Sequence, residues 1–437
     1  MFKTTGEGGA FPRRPLQSNP MNSMTGNDPR PAGASPLPAD ILDEELDALR
    51  AETPGLAGQT FLLSCGASLM PRRVVERMHD YLDLEARLGG YGAFAASEER
   101  LERVYGSIAR LINAAPSEIA LVENATIAWQ LAFHSLDFAP GDVIITAEAE
   151  YGANYVTLLQ MQRRRGVDIR VCPSDEQGVV DLTALERMID PKVRLISLTW
   201  VPTNGGLNNP AAAVGRIARA HGIPYLLDAC QAVGQMPIDV QTLGCDFLAA
   251  TSRKFLRGPR GAGFLYVRRA MLDRCEPPFI DHIGARWVER NRYELRDDAR
   301  RYESWESNHM ARLGMGEAAD YAMGIGIDRI WRRCRRLAQR LRDGLASVPS
   351  FRTHDLGACP SAIVSFSSDT VDPQNIVSRA AARGIAISTS SPESTRLDAE
   401  RRHLPTLVRA APHYFNTEAD VDQLVAFAES LIRRGDG

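Results

Sequence analysis

The sequence predicts an α/β fold, with a large, mostly parallel sheet covered by helices on both faces and a smaller α/β unit at the C-terminus. Three observations carry that expectation. From about residue 41, short apolar runs bounded by turn residues alternate with stretches of helical periodicity, the pattern of parallel strands joined by crossover helices. After residue 350 the spacing between runs changes. The length of 437 residues is also enough for two or three compact units with a cleft between them.

The elements follow in order. Residues 1–40 are rich in proline and glycine with few aliphatic side chains, too little apolar surface to offset the entropy of ordering, so a disordered tail is expected. Arg13 and Arg14 are not followed by an apolar stretch, so no export signal is expected, and Met21 or Met24 is an alternative start. Helical periodicity covers 40–51, 71–88, 97–113, 126–135, 152–165, 210–221 and 315–346. Strand-like runs occupy 119–122, 143–146, 168–172, 193–200, 224–228, 246–250 and 263–267. Later runs at 363–367, 385–389 and 407–410 flank helices near 372–383 and 418–433. The expected division is a segment at 41–75 packing with the small domain, a large domain at 76–314, and a connecting helix with the small domain at 315–437.

Composition narrows the function classes. Hydrophobic residues make up 44% and charged residues 24%, with a net charge of −3, so no protein-wide basic footprint for nucleic acid exists. No apolar run approaches the ~20 residues of a membrane span. The seven cysteines are scattered without metal-ligand spacing, as expected of reduced thiols in a cytoplasmic protein. No metal site is expected, and His282, His309 and His413 read as structural.

Open α/β sheets bind ligands beyond the carboxyl ends of their strands, so the residues ending each run carry most of the functional information. Run 224–228 ends in Asp228, followed by Ala229, Cys230 and Gln231; run 246–250 leads into Thr251, Ser252, Arg253 and Lys254. An acid at one strand end and a lysine at another point to pyridoxal 5′-phosphate. The lysine amine would form a Schiff base with the cofactor aldehyde, and the acid would pair with the protonated ring nitrogen. The glycines that follow, Gly258, Gly261 and Gly263, run G-x-x-G-x-G ahead of a strand. That order and place are wrong for a dinucleotide fingerprint.

The stretch LLDACQAVGQMPIDVQTLGCDFLAATSRKFLRGPRGAGFLYVRR at 226–269 resembles the core of class V aminotransferases. This is the fold type I pyridoxal-phosphate group that includes cysteine desulfurases, selenocysteine lyases and isopenicillin N epimerase. The resemblance spans roughly residues 60–430. It implies that Lys254 is the Schiff-base lysine and Asp228 the pyridinium partner, and that Gln231 bonds the cofactor's 3′-oxygen. VENATIAWQLA resembles the loop entering a helix beneath the phosphate, which implicates the Ala125 backbone and Thr126. Thr251 and Arg253 fall at the other phosphate positions; Arg253 replaces the histidine usual in desulfurases, offering a permanent, forked charge. In EAEYGANYV, against the desulfurase pattern Glu-His-x-x-Asn, Tyr151 takes the place of the ring-stacking histidine. A phenol can stack but is a poor base at neutral pH. LTWVPTNGGLNNP implies a contact from Thr203 or Asn204, and LVRAAPHYFNTEADVDQLV implies that Arg409 holds the substrate α-carboxylate.

The chain departs from the desulfurases at 386–404, where AISTSSPESTRLDAERRHL holds no cysteine to take substrate sulfur; Cys359 reads as core. Arg396 in this stretch is a candidate contact for an acidic or oxidised-sulfur side chain. The phosphate contact supplied by a partner subunit falls near YESWESNHMARLG, with Ser304 or Ser307 as substitutes for the usual threonine and Trp305 as a wall. The expected function is conversion of an amino acid at Cα through its imine with the cofactor, with Lys254 as base and Asp228 stabilising the carbanion. Transamination leads, with β-elimination of a C–S bond or epimerisation as alternatives. A homodimer with its active site near the interface is expected. A non-catalytic interaction protein and a nicotinamide dehydrogenase are the competing classes, and the conjunction of Lys254, Asp228, Gln231 and Thr126 argues against both.

Overall fold

The computed structural model describes residues 40–432; the expectations for the N-terminal tail and the start methionine fall on residues outside this range. Seven strands form the main sheet: β1 (Ile119–Val122), β2 (Val143–Ala147), β3 (Asp168–Cys172), β4 (Val193–Thr199), β5 (Tyr225–Asp228), β6 (Phe247–Thr251) and β7 (Gly263–Val267). Their order is β1-β7-β6-β5-β4-β2-β3. Pairings from β3 through β6 are parallel, whereas β7 runs antiparallel to both β6 and β1. Strands β1, β5, β6 and β7 are buried throughout, which is why they read as continuous apolar runs rather than alternating ones.

Register brings the functional ends together. Thr199 pairs with Asp228, Asp228 with Ala249, and Thr251 with Gly263, so residues far apart in sequence end on one rim of the sheet.

Five helices bear on that rim or join the domains: α1 (Arg72–Ile112), α2 (Ala125–His134), α3 (Gly152–Arg165), α4 (His309–Ile325) and α5 (Ile327–Ala346). The two helices expected at 71–88 and 97–113 lie on either side of Gly89, whose φ of 70° and ψ of 167° break the helical backbone within α1; the second begins earlier than expected. That backbone region is essentially restricted to glycine, so Gly89 turns the chain where a side-chain-bearing residue would not. The single helix expected over 315–346 is instead divided at Gly326, whose φ is 97°.

The C-terminal unit has a four-stranded antiparallel sheet of β8 (Phe351–Thr353), β9 (Val364–Ser368), β10 (Ser388–Ser390) and β11 (Leu407–Ala410), in the order β8-β9-β11-β10. Thr60–Phe61 pairs in parallel with Ile385–Ala386, and Leu63 bridges to Ala411, which joins the N-terminal segment to this unit. Arg257 fastens the lysine loop to both: its guanidinium donates to the Leu69 carbonyl, Thr53 Oγ1 and the Tyr414 hydroxyl and lies over the Phe415 ring.

Candidate active site

A cavity of ≈ 480 Å³ opens at the carboxyl rim of the sheet, between the ends of β4, β5 and β6 and the N-termini of α2 and α3. Lys254 and Asp228 both line it. Asp228 is buried as the last residue of β5, where its Oδ1 accepts the Cys230 N–H at 2.9 Å and its Oδ2 accepts Asn154 Nδ2 at 2.9 Å. Burial pushes its carboxyl above the ordinary range, opposed by those two donors and by the charge of Lys254. Burial pushes the Cys230 thiol up, opposed by the charge of Lys254.

The loop carrying Lys254 is knit to the strand beside it. Ser252 N–H donates to the Ala262 carbonyl at 3.1 Å, Gly258 N–H to the Ser252 carbonyl at 2.8 Å, and Arg257 N–H to the Lys254 carbonyl at 2.9 Å. The lysine therefore stands on a fixed turn.

The same cavity gathers groups that suit an anion. Asn124 caps α2 by accepting Ile127 N–H at 3.0 Å. The first-turn groups of Ala125 and Thr126 face the cavity together with Thr251, Arg253 and Arg260, so a helix N-terminus and two guanidinium-bearing residues converge. Arg253 donates to the Gly66 carbonyl. Gln231 is buried; its Nε2 donates to the Cys65 carbonyl at 3.1 Å, while its Oε1 has no hydrogen-bond partner among the described residues. An orphaned acceptor on a cavity wall is the sign of a group still to be bonded there.

Of the pair Thr203 and Asn204, Thr203 lines the cavity. Asn204 turns to the small domain, donating to the Ser391 carbonyl at 3.1 Å and accepting from Ser390 Oγ. Arg409, on β11, donates through Nη1 to Thr203 Oγ1 at 2.6 Å and to its carbonyl at 2.9 Å, and its buried Nε is without a partner among the described residues. Tyr151 lines the cavity just ahead of α3. Arg396 is not brought there: it opens the helix Arg396–Arg401 on the surface and pairs with Glu400 at 3.0 Å and Glu393 at 3.9 Å. Acids one turn before and after it hold its side chain outside.

Glu123, Asn154, Thr199, Cys230 and Arg260 also line the cavity and were not singled out from the sequence. Asn154 had a signal, since it fills the last place of the Glu-x-x-x-Asn pattern; the others had none.

Residues 60–424 match the profile of the family Aminotransferase class-V. The chain belongs to that family. Among its class V relatives, a probable cysteine desulfurase of Methanothermobacter thermautotrophicus is 28% identical over 395 residues, covering 89% of this chain and 98% of the relative. A cysteine desulfurase of Yersinia pestis (strain Pestoides F) is 31% identical over 396 residues, covering 87% and 97%. Among solved structures, the apo cysteine desulfurase of Thermococcus onnurineus NA1 superposes with a TM-score of 0.82 at 24% identity, covering 92% of this chain and 99% of that one; this likeness shows the fold.

The segment 386–404 holds no cysteine. It folds as β10, a 3-10 turn at Pro392–Thr395 and the helix Arg396–Arg401, tied to the large domain by Asp398 N–H to the Glu148 carbonyl at 3.1 Å and by Arg401 to Glu148 at 2.9 Å. A Cβ on Gly152 would lie 2.6 Å from the Glu393 carbonyl, so the segment rests directly on the start of α3. Of the seven cysteines, all free thiols, Cys230 lines the cavity and Cys359 is buried.

Proposed function

We propose that this chain is a pyridoxal-phosphate enzyme that transforms an amino acid at its Cα. The observation that carries the reading is the convergence of Lys254 and Asp228, from neighbouring strands, on one cavity that Thr126, Thr251 and Arg253 also line. Those three residues and the N-terminus of α2 fit the cofactor's phosphate. Bound there, pyridoxal phosphate supplies an aldehyde for amines and a ring that accepts the electron pair released at Cα.

The chain's own residues do the rest. Ala125 N–H, Thr126, Thr251 and Arg253 hold the phosphate, and Gln231 Nε2 gives its second hydrogen to the 3′-oxygen, the first being held by the Cys65 carbonyl. Tyr151 covers one ring face, and Asp228 keeps a proton on the ring nitrogen. Thr203 stations Arg409, whose forked guanidinium binds the substrate carboxylate and turns the Cα–H bond toward Lys254. The Lys254 amine then takes the Cα proton and returns it at a carbon chosen by geometry. Transamination is the leading outcome. Loss of a sulfur substituent from Cβ is the second reading, favoured by the desulfurase names of the relatives, but with no cysteine at 386–404 for a persulfide relay.

A homodimer belongs to the reading. Tyr91, Phe94 and Trp305 are exposed around a second cavity of ≈ 400 Å³, which also holds Ser307 Oγ and His309 Nδ1 without partners among the described residues. A reducing, cytoplasmic setting is supported by the seven free thiols, and none of the described helices is long and apolar enough to cross a membrane.

The test is absorbance. Purified protein supplied with pyridoxal phosphate is expected to show a band near ~420 nm that borohydride bleaches and that Lys254→Ala removes; a wild type without such a band overturns the reading. Incubation with a panel of amino acids, scoring 2-oxo acid, pyruvate with a sulfur product, or deuterium exchange at Cα, then selects the reaction.

A further inference from the structure

The geometry points to Glu150 as a positioning residue that sets both the ring-nitrogen contact and the ring-face contact of the cofactor, and this rests on the reading above. Glu150 lies beyond the end of β2 and is buried. Its Oε1 accepts Asn154 Nδ2 at 3.0 Å, the Tyr151 N–H at 2.8 Å and the Thr199 hydroxyl; its Oε2 accepts the Thr146 hydroxyl at 2.8 Å. The same Asn154 Nδ2 donates to Asp228 Oδ2 at 2.9 Å. One amide nitrogen is therefore shared between two buried carboxylates.

Three donors fix Glu150 Oε1. The Tyr151 N–H and the Asn154 amide nitrogen can only donate. Thr199 Oγ1 accepts the Tyr151 N–H at 3.3 Å, which leaves its own hydrogen for Glu150. Burial pushes the Glu150 carboxyl up, opposed by the hydrogen bonds from Thr199, Asn154 and Thr146; those donors favour the anion.

Two consequences follow. A fixed anion behind Asp228, coupled to it through one amide, raises the affinity of Asp228 for a proton and so strengthens its hold on the ring N–H. The bond to the Tyr151 N–H also fixes the backbone of the residue that covers the ring. The other charged or titratable groups around Asp228 are Lys254, Cys230 and, beyond Cys230, Arg253; Asp228 is the one to which Asn154 links Glu150.

The experiment uses the holoenzyme reconstituted with pyridoxal phosphate labelled with nitrogen-15 at the ring nitrogen, whose chemical shift reports ring protonation as pH is raised. Glu150→Gln keeps the shape and an acceptor for Asn154 but removes the charge. The pH at which the ring loses its proton is expected to fall by about one unit, a tenfold loss of proton affinity, while Glu150→Asp stays close to wild type. An unchanged midpoint in a folded Glu150→Gln holoenzyme overturns the proposal. Glu150→Ala, which leaves room for water between the two threonine hydroxyls, serves if the glutamine variant does not fold, with the same fall expected. If neither neutral variant folds, the carboxylate serves the fold and the proposal is overturned. Asp228→Asn separates the two levels of inference: a ring that stays protonated in that variant overturns the assignment of Asp228 itself, whatever Glu150 does.

Discussion

Arg409 is fixed in place by Thr203, which holds its Nη1 through both hydroxyl and carbonyl, so in the proposed function less side-chain entropy remains to be lost when it meets a carboxylate. Lysine carries the charge without the fork. Arg409→Lys is expected to raise KM for the amino acid at least tenfold, about 1.4 kcal/mol, with a smaller change in kcat and unchanged cofactor binding; steady-state kinetics on the reconstituted enzyme checks this. His413 is a residue of the opposite kind, serving stability alone. Its Nε2 donates to the Phe255 carbonyl at 2.7 Å and its Nδ1 accepts the Tyr414 N–H at 2.8 Å, which requires a neutral ring. Burial, reinforced by the Arg257 charge, pushes it down to about 3. The unfolded chain takes up this proton near pH ~6.5. The stabilisation is therefore complete above that pH and is lost as pH falls toward 3, by up to about 1.4 kcal/mol per unit. Between pH 6.5 and 4.5, His413→Gln is expected to lose about 2 kcal/mol less stability than wild type, measured by denaturant unfolding at each pH.

Elements decide which residues meet, and this is where the sequence was readable and where it was not. Lys254 and Asp228 were legible because each stands just past an apolar run and adjacent parallel strands end on one rim. Glu150 was not, because its partners come from three places: Thr146 on β2, Thr199 ending β4, and Asn154 in the first turn of α3. Nothing in local spacing says that β4 sits between β2 and β5. The break within α1 was legible for a physical reason, since Gly89, Gly90 and Gly92 weaken helical propensity and Gly89 leaves the helical region. The antiparallel pairing of β7 with β1 was hidden, but it matters to the anion site. A Cβ on Gly263 would lie 2.6 Å from the Ala250 carbonyl and 2.9 Å from Asn124 Cα. Both neighbours are backbone, so Gly263→Ala must push the α2 N-terminus away from the sheet. The expected result is about 1–3 kcal/mol of destabilisation and about a tenfold weaker affinity for pyridoxal phosphate, whose phosphate that helix faces; thermal melts and equilibrium dialysis measure the two effects separately.

At the scale of the whole molecule, the surface near the kink of α1 bears Tyr91 at 82% exposure and Trp305 at 48%. Large aromatic side chains exposed next to unpartnered polar atoms mark a surface that another protein covers, and a second copy of the chain fits the homodimer reading. Light scattering is expected to give twice the 48.0 kDa of one chain. The double variant Tyr91→Asp, Trp305→Asp introduces charges that cannot be desolvated against a neighbour, and it is expected to run as a monomer. Neither residue lines the cavity of Lys254, and both are already exposed to water in the single chain, so the apo monomer should melt within a few degrees of the wild-type chain under dissociating dilution. Its affinity for pyridoxal phosphate should nevertheless fall about tenfold or more, because Asn124 and Thr126 at the phosphate end are exposed in a lone chain and the dimer reading has the partner cover them. A monomeric variant that binds the cofactor as tightly as wild type would show that each chain completes its own site, and the interface would then serve stability alone.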